Sequence, residues 1–326
     1  MRGDVLAIPA ECLARLRCPR CGEPMTNEAG LLCKRGHVLD IRAGYVDVPG
    51  PPPDPLTART LRSFGYEHTT FVEPERDAQA YWDYLFDGLP IEELKDGVGL
   101  DAGCGSGRFA RFLAPRLRAL VALDGSVAAE AAARNLAEFP NVLVLRSDLR
   151  RAPFAEGSFD LISCIGVIHH LERPEEAFRS LVPLLAPGGR ILLFVYSRPR
   201  PGTMRAFVVN TTSTLRRFTV HVPRTILRVL SALVAGIAYA GIVLPGRLGE
   251  RFGLRRLSEL PLAFYRPMPF RSLWLSTFDA LSAPLERRYT WPEIRPWFLD
   301  GGLDVQTVRD DHGLIVLARR PGGPGN

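Results

Sequence analysis

Val98-Gly-Leu-Asp101-Ala-Gly103-Cys-Gly105-Ser-Gly107-Arg-Phe109 decides how the rest of this 326-residue chain is read. A short apolar strand, 98–100, meets a glycine-rich turn, and a helix is expected from Arg108 to Leu117. Glycines let the backbone pass close to a ligand, and the amides of a helix N-terminus follow directly. Several nucleotide-binding folds share such a turn, so its surroundings carry the argument. A second strand, Ala119-Leu-Val-Ala-Leu123, ends in Asp124, 17 residues after Gly107. An acid at that point is placed to accept both hydroxyls of a ribose. A third strand, Val142-Leu-Val-Leu145, ends in Ser147-Asp148-Leu149. A fourth, Phe159-Asp-Leu-Ile-Ser-Cys164, runs into Ile165-Gly-Val-Ile-His169-His170-Leu171, and Pro187-Gly-Gly189 turns into a fifth, Arg190 to Tyr196. Strands alternating with helices predict an α/β chain with a parallel sheet.

This ordered succession resembles class I S-adenosylmethionine-dependent methyltransferases. The resemblance covers roughly residues 60–197, and 286–319 fits the closing helix and strands. A dehydrogenase-type nucleotide fold would share the glycine turn but has no comparable match downstream. The resemblance implies a Rossmann-like class I methyltransferase sheet with S-adenosyl-L-methionine as cofactor. It implies that Asp101, Gly103 and Gly105 surround the methionine end and that Gly107 allows close helix packing. Asp124 would hold the ribose, Asp148 with the backbone of Leu149 would read the adenine, and Cys164 to Gly166 would line the cleft. Upstream, Phe64-Gly65-Tyr66 and Tyr81-Trp82-Asp-Tyr84 resemble the aromatic helix that caps the cofactor in small-molecule members; either patch could equally be core.

A separate constellation lies near the N-terminus: Cys18-Pro-Arg-Cys21, then Cys33-Lys-Arg-Gly-His37, spaced C-x2-C-x11-C-x3-H. Three thiolates and an imidazole make a tetrahedral set suited to zinc. With no fifth ligand nearby, the site reads as closed and structural, its Zn2+ supplying folding energy to a segment too short for its own core. Cys12 is off the pattern and reads as a packed thiol. The stretch resembles the Trm112-like zinc ribbon, and the run from Leu32 to Val46 is also similar to the ribbon of rRNA guanine-N1 methyltransferases, where it helps hold RNA.

Composition is that of a folded globular chain, 46% hydrophobic and 23% charged, which excludes disorder, collagen and coiled coil as overall descriptions. Six cysteines are too few for a disulfide scaffold. No apolar stretch follows Met1, so a reducing cytoplasm is expected, with peripheral membrane contact as an open alternative. The predicted divisions are a zinc-ribbon-like domain 1–48, a proline linker 49–55, a cofactor-binding core 56–197, a helical insertion 198–288, and a completing segment 289–326.

The insertion is unusual. Between Arg198 and Arg256 there are 11 arginines and one acid, Glu250, whereas the whole chain carries a net charge of +6. Such a block suits phosphate, on nucleic acid or on anionic lipid, or is simply a solvated surface. Within it runs Val229 to Leu244, sixteen uncharged residues that would span about 24 Å as a helix, short of the roughly 30 Å hydrocarbon core. Pro245-Gly246 is expected to stop it. Three readings stand: a buried substrate lid, a helix lying in a membrane interface with contact through 226–247, or a true span.

Methyl transfer needs an aligned nucleophile and, for a protonated acceptor, a base. His169 and His170 follow the fourth strand, with His169 the first choice, and Tyr196 is a weaker candidate; the pair could instead only shape the pocket. Two transferase functions follow. One modifies a small apolar or lipid-linked acceptor. The other is an RNA methyltransferase using the ribbon and the arginine block. A non-catalytic cofactor-binding scaffold is a third.

Overall fold

The runs expected to be strands all enter one nine-stranded sheet. The computed structural model describes residues 7–28, 30–71, 75–311 and 313–322. From the N-terminus, α1 (Ala10–Arg15) leads to β1 (Met25–Thr26), β2 (Leu32–Cys33), β3 (Asp40–Arg42) and β4 (Tyr45–Asp47). Helices α2 (Pro55–Thr70) and α3 (Glu75–Phe86) follow. The central elements are β5 (Val98–Ala102), α4 (Ala110–Leu113), β6 (Ala119–Asp124), α5 (Ala128–Asn135), β7 (Val142–Arg146), β8 (Phe159–Ile165), α6 (Pro174–Leu181) and β9 (Leu185–Val195). A helical stretch holds α7 (Met204–Thr219), α8 (Arg224–Ala238), α9 (Leu244–Phe252), α10 (Arg255–Ser258) and α11 (Phe270–Ser282). The chain closes with α12 (Trp291–Asp300), β10 (Asp304–Asp310) and β11 (Leu314–Arg319).

Strand order is β10-β11-β9-β8-β5-β6-β7-β4-β3, parallel from β9 to β4. Strands β5 and β6 are buried almost end to end, as parallel strands covered on both faces must be. The order reverses between β5 and β8, the point where open parallel sheets bind ligands at their carboxyl ends. The α/β sheet, parallel at its centre with its order reversing between β5 and β8, is Rossmann-like.

Two compact units divide the chain. One comprises 1–69, 82–197 and 285–326; the other comprises 70–81 and 198–284. In the first, the N-terminal segment is not a separate body. Val46 of β4 pairs with Leu145 of β7, and Asp47 takes a two-pronged ion pair from Arg146. Arg17 N donates to Pro153 O and Ala155 N to Arg15 O, at 2.8 and 3.0 Å. Leu16, Leu31, Leu39 and Val46 are buried in the main core. Each such side chain contributes on the order of 2 kcal/mol, so the ribbon leans on the sheet as well as on any metal. Cys12 is fully buried, and burial pushes its thiol up to about 12, partly offset by Arg15. It is indeed a packed thiol.

The second unit is helical. Leu273 of α11 packs with Ala235 of α8 and with Val243, and Phe71 lies 5.2 Å from Trp274 and 5.1 Å from Phe278. Pro245-Gly246 does not stop the long helix, contrary to expectation. A π turn, Tyr239–Val243, joins α8 to α9, giving one helix from Arg224 to Phe252, 29 residues or roughly 43 Å. The wide π turn precedes Pro245, which falls in the first turn of α9, where a missing amide and the pyrrolidine ring are tolerated.

Candidate active site and metal centre

The register of the parallel strands gathers the predicted cofactor residues. Ala102 pairs with Leu123, Asp124 with Arg146, and Asp101 with Ser163. Gly103, Gly125, Ser147 and Gly166 therefore leave the sheet side by side at its carboxyl edge. Gly103 N and Cys104 N donate to Leu123 O at 2.7 and 2.9 Å, which folds the glycine turn against β6. Gly103 and Gly105 have φ of +87° and +55°. A Cβ on Gly103 would run into Val167, and one on Gly105 would lie 2.6 Å from the ring of His68. Only glycine makes this cradle. Gly107 packs against Leu136 of the following loop, which a Cβ would touch at 3.0 Å.

The two acids of the cradle differ. Asp101 is buried; its Oδ1 accepts from Ser163 Oγ at 2.8 Å, while Oδ2 makes no hydrogen bond of ordinary geometry. Burial pushes its carboxyl up to about 7, against the Ser163 bond that lowers it, with the nearby Asp124 charge adding to the rise. Asp124 is half-buried. Its Oδ2 accepts from Gly105 N at 3.0 Å, and its Oδ1 from Ser126 N and Oγ at 2.8 and 2.7 Å. A carboxylate oxygen accepts two bonds, so Oδ2 keeps capacity for a ligand hydroxyl.

Asp148 caps the short turn Leu149–Arg151. Burial raises it, but the Arg150 guanidinium at 2.7 Å and the Arg150 amide hold its carboxyl below the usual range. An adenine amino group would share that carboxylate with Arg150. Leu149 is buried beneath it. Cys164 is fully buried, and burial pushes its thiol up to about 12. Gly166 takes φ +77° at the end of β8.

His169 and His170 are both buried beneath the edge of the cleft. Their rings pack together, with Tyr196 4.1 Å from His169 and Phe64 4.6 Å from His170. His170 Nδ1 lies 2.7 Å from Leu285 O. A carbonyl only accepts, so Nδ1 carries the proton and Nε2 is the basic nitrogen.

Helix α2 runs over this edge. Gly65 approaches Val127 and Gly125 faces Leu61, each so closely that a Cβ would crowd the neighbour. His68 lies against the glycine turn. Burial lowers its imidazole to about 4, against the pull of Asp124, so the ring is neutral. His68 was missed in the sequence; its signal was its place one turn past the Phe64-Gly65-Tyr66 patch. The second aromatic patch is core, with Trp82 stacked on Phe86 at 3.8 Å and beside Phe112.

The ligand atoms of Cys18, Cys21, Cys33 and His37 all lie within 4.8 Å of one another. Cys21 and Cys33 sulfurs are 3.7 Å apart, and His37 Nδ1 is 3.3 Å from Cys18 Sγ and 3.6 Å from Cys33 Sγ. A tetrahedron with metal–sulfur bonds of about 2.3 Å has edges of about 3.8 Å. The four side chains fit one tetrahedral ion bound through Nδ1. Gly22 and Gly36, at φ +74° and +78°, close the two knuckles onto the carbonyls of Cys18 and Cys33.

Residues 100–193 match the family described as methyltransferase domain. The tRNA U34 carboxymethyltransferase of Helicobacter pylori is 30% identical over 37% of this chain and 48% of its own length. The 2-phytyl-1,4-naphtoquinone methyltransferase of Thermosynechococcus vestitus is 32% identical over 35% of this chain and 53% of its own. The chain thus spans about half the length of these two relatives. A Burkholderia thailandensis 1,6-didemethyltoxoflavin-N1-methyltransferase, solved with S-adenosylhomocysteine, is similar over 85% of this chain and 94% of its own, with 16% identity and a TM-score of 0.43.

Proposed function

We propose that this chain, whose residues 100–193 match a methyltransferase domain, transfers the methyl group of S-adenosyl-L-methionine to a small apolar or lipid-linked acceptor. The observation that carries the transfer is the cradle itself: glycines at positive φ beside Asp101 and Asp124 at the switch point of the sheet. The orphaned Asp101 Oδ2 and the spare capacity of Asp124 fit a ligand bearing an ammonium and a diol. Bound there, the cofactor supplies an electrophilic methyl on a sulfonium and a good leaving group.

The chain's own work is to bind and orient. Gly103 and Gly105 hold the methionine end, Asp124 the ribose, and Asp148 with Leu149 the adenine. Helix α2, with His68 at the turn, covers the cradle and excludes water. Where the acceptor carries a proton, His170 takes it at Nε2. The ribbon holds Zn2+ on Cys18, Cys21, Cys33 and His37, as a structural ion.

An apolar acceptor is supported by the helical unit, whose outward faces on α7–α9 are apolar. RNA is the second reading, supported by the arginine count. Part of that block, though, serves the unit's own fold: Arg216 donates to Ala280 O, and Arg247 to the carbonyls of Arg266 and Met268. The test is incubation with methyl-labelled cofactor and a lysate split into organic extract, RNA, protein and polar small molecules. Label in the organic extract is expected. Label in RNA would overturn the acceptor assignment, and no label in any fraction would overturn the transfer.

A further inference from the structure

Fifteen of the nineteen large apolar side chains exposed among the described residues lie between Met204 and Leu254. They form faces, not scattered points. On α8, Ile226, Val229, Leu230, Leu233, Val234 and Ile237 recur every three or four residues, so they share one side of the helix. The opposite side, Leu227, Ser231 and Ala235, is buried, and Trp274 Nε1 of α11 donates to Ser231 Oγ and Arg228 O, both at 3.0 Å. An ordinary surface helix turns polar residues outward. This helix is apolar on both sides and has no charged residue from Val229 to Gly246. Phe207 and Phe218 of α7 and Leu244, Leu248 and Phe252 of α9 add to the exposed surface, with Phe218 and Ile237 more than 70% exposed. An apolar area of this extent calls for a partner.

The charges say which. Arg228 stands in the first turns of the long helix, and Arg251 and Arg256 at or just past its end. The uncharged stretch is bracketed by cations at both ends. The nearby acids are already engaged, Glu250 by Arg266 and Glu259 by Arg255. A second copy of the chain is disfavoured, because two-fold antiparallel pairing of the helix would set one arginine cluster against the other. A single span is disfavoured too. Arg266 is buried, and its Nε would lie 2.6 Å from a Cβ on Gly246, while Arg247 is bonded to carbonyls of its own unit. Spanning would carry these groups into hydrocarbon. Phosphate headgroups over an acyl layer match both features at once.

We infer that α7–α9 dock in the plane of an anionic bilayer, the apolar face in the acyl boundary and the terminal arginines on lipid phosphates. This goes beyond the transfer reaction and stands without it. The test is flotation of the full chain with phosphatidylcholine vesicles, with and without phosphatidylglycerol. The protein is expected to float with the mixed vesicles, less with the neutral ones, and less as salt rises. Leu233→Glu with Ile237→Glu, both exposed, is expected to lower partitioning about 100-fold while S-adenosylhomocysteine binding and Tm stay unchanged. A wild type that stays in the soluble fraction overturns the docking. So does flotation that the double variant leaves intact, or a wild-type dimer that the double variant dissociates, which would assign the face to a second copy. A wild type that floats with the mixed vesicles but binds no S-adenosylhomocysteine would instead count against the transferase reading alone.

Discussion

Asp101 makes the apo protein lose stability as pH rises through neutrality. Its carboxyl is buried near the end of β5 with Oδ2 making no hydrogen bond of ordinary geometry, and burial holds its folded-state pKa at about 7 against the Ser163 hydroxyl and the Ala110 amide, which lower it; in an unfolded chain it is about 3.9. The fold favours the neutral acid. The stability this confers is fully present below about pH 4 and is lost as pH rises to about 7. Between about pH 5 and about pH 8 this one group removes roughly 2 kcal/mol. For a unit of this size that is about 5 °C in Tm. Asp101→Asn keeps an oxygen to accept from Ser163 but does not titrate. Thermal unfolding of wild type and variant across this range isolates the group, because other titrations cancel in the difference. The wild type is expected to fall relative to the variant by about 5 °C from the acid to the alkaline end. A flat difference, or a wild type that gains on the variant as pH rises, would mean that Asp101 is ionised in the fold and that its free oxygen has a partner.

Asp124→Ala is expected to weaken S-adenosylhomocysteine binding by about 10- to 100-fold, the loss of hydrogen bonds to a charged acceptor; unchanged affinity in calorimetry removes the ribose assignment. Gly105→Ala places a Cβ at φ +55° and 2.6 Å from the His68 ring, so cofactor binding and Tm should both drop, and a normal isotherm would show that the turn is not the cradle. Cys21→Ser should release zinc, read by elemental analysis, and lower Tm without abolishing the central sheet, since the ribbon is also held by β4 and β7. His68 is held neutral with a pKa of about 4, so its contribution is present above about pH 6.5 and lost as pH falls toward 4. His68→Gln should flatten that acid limb, and an unchanged acid limb would remove His68 from the turn.

Much of the cradle was legible because its chemistry is local. A glycine needed at positive φ, an acid closing a strand, or two cysteines on one knuckle are each written in a few neighbouring residues. What escaped depends on distant partners. Asp148 reads as a free adenine acceptor until Arg150 is seen on it. Which ring nitrogen of His170 carries the proton turned on a carbonyl 115 residues away, at Leu285. His68 carries no motif, and its importance lies in the face of α2 it occupies. Pro245 reads as a helix stop because a sequence does not display the π turn that accommodates it.

The sequence by itself determined the parallel α/β core, the glycine-rich turn at its switch point and the Cys/His cluster near the N-terminus, because strand periodicity, backbone freedom and residue spacing act over short stretches. Tertiary structure alone decided that the ribbon joins the sheet through a parallel pair between β4 and β7, since nothing in Tyr45–Asp47 names its partner across about a hundred residues. It also decided which side of the long apolar helix is covered. Both sides are apolar, so composition could not separate core from surface, and only the packing of α11 on Leu227, Ser231 and Ala235 left the other face exposed.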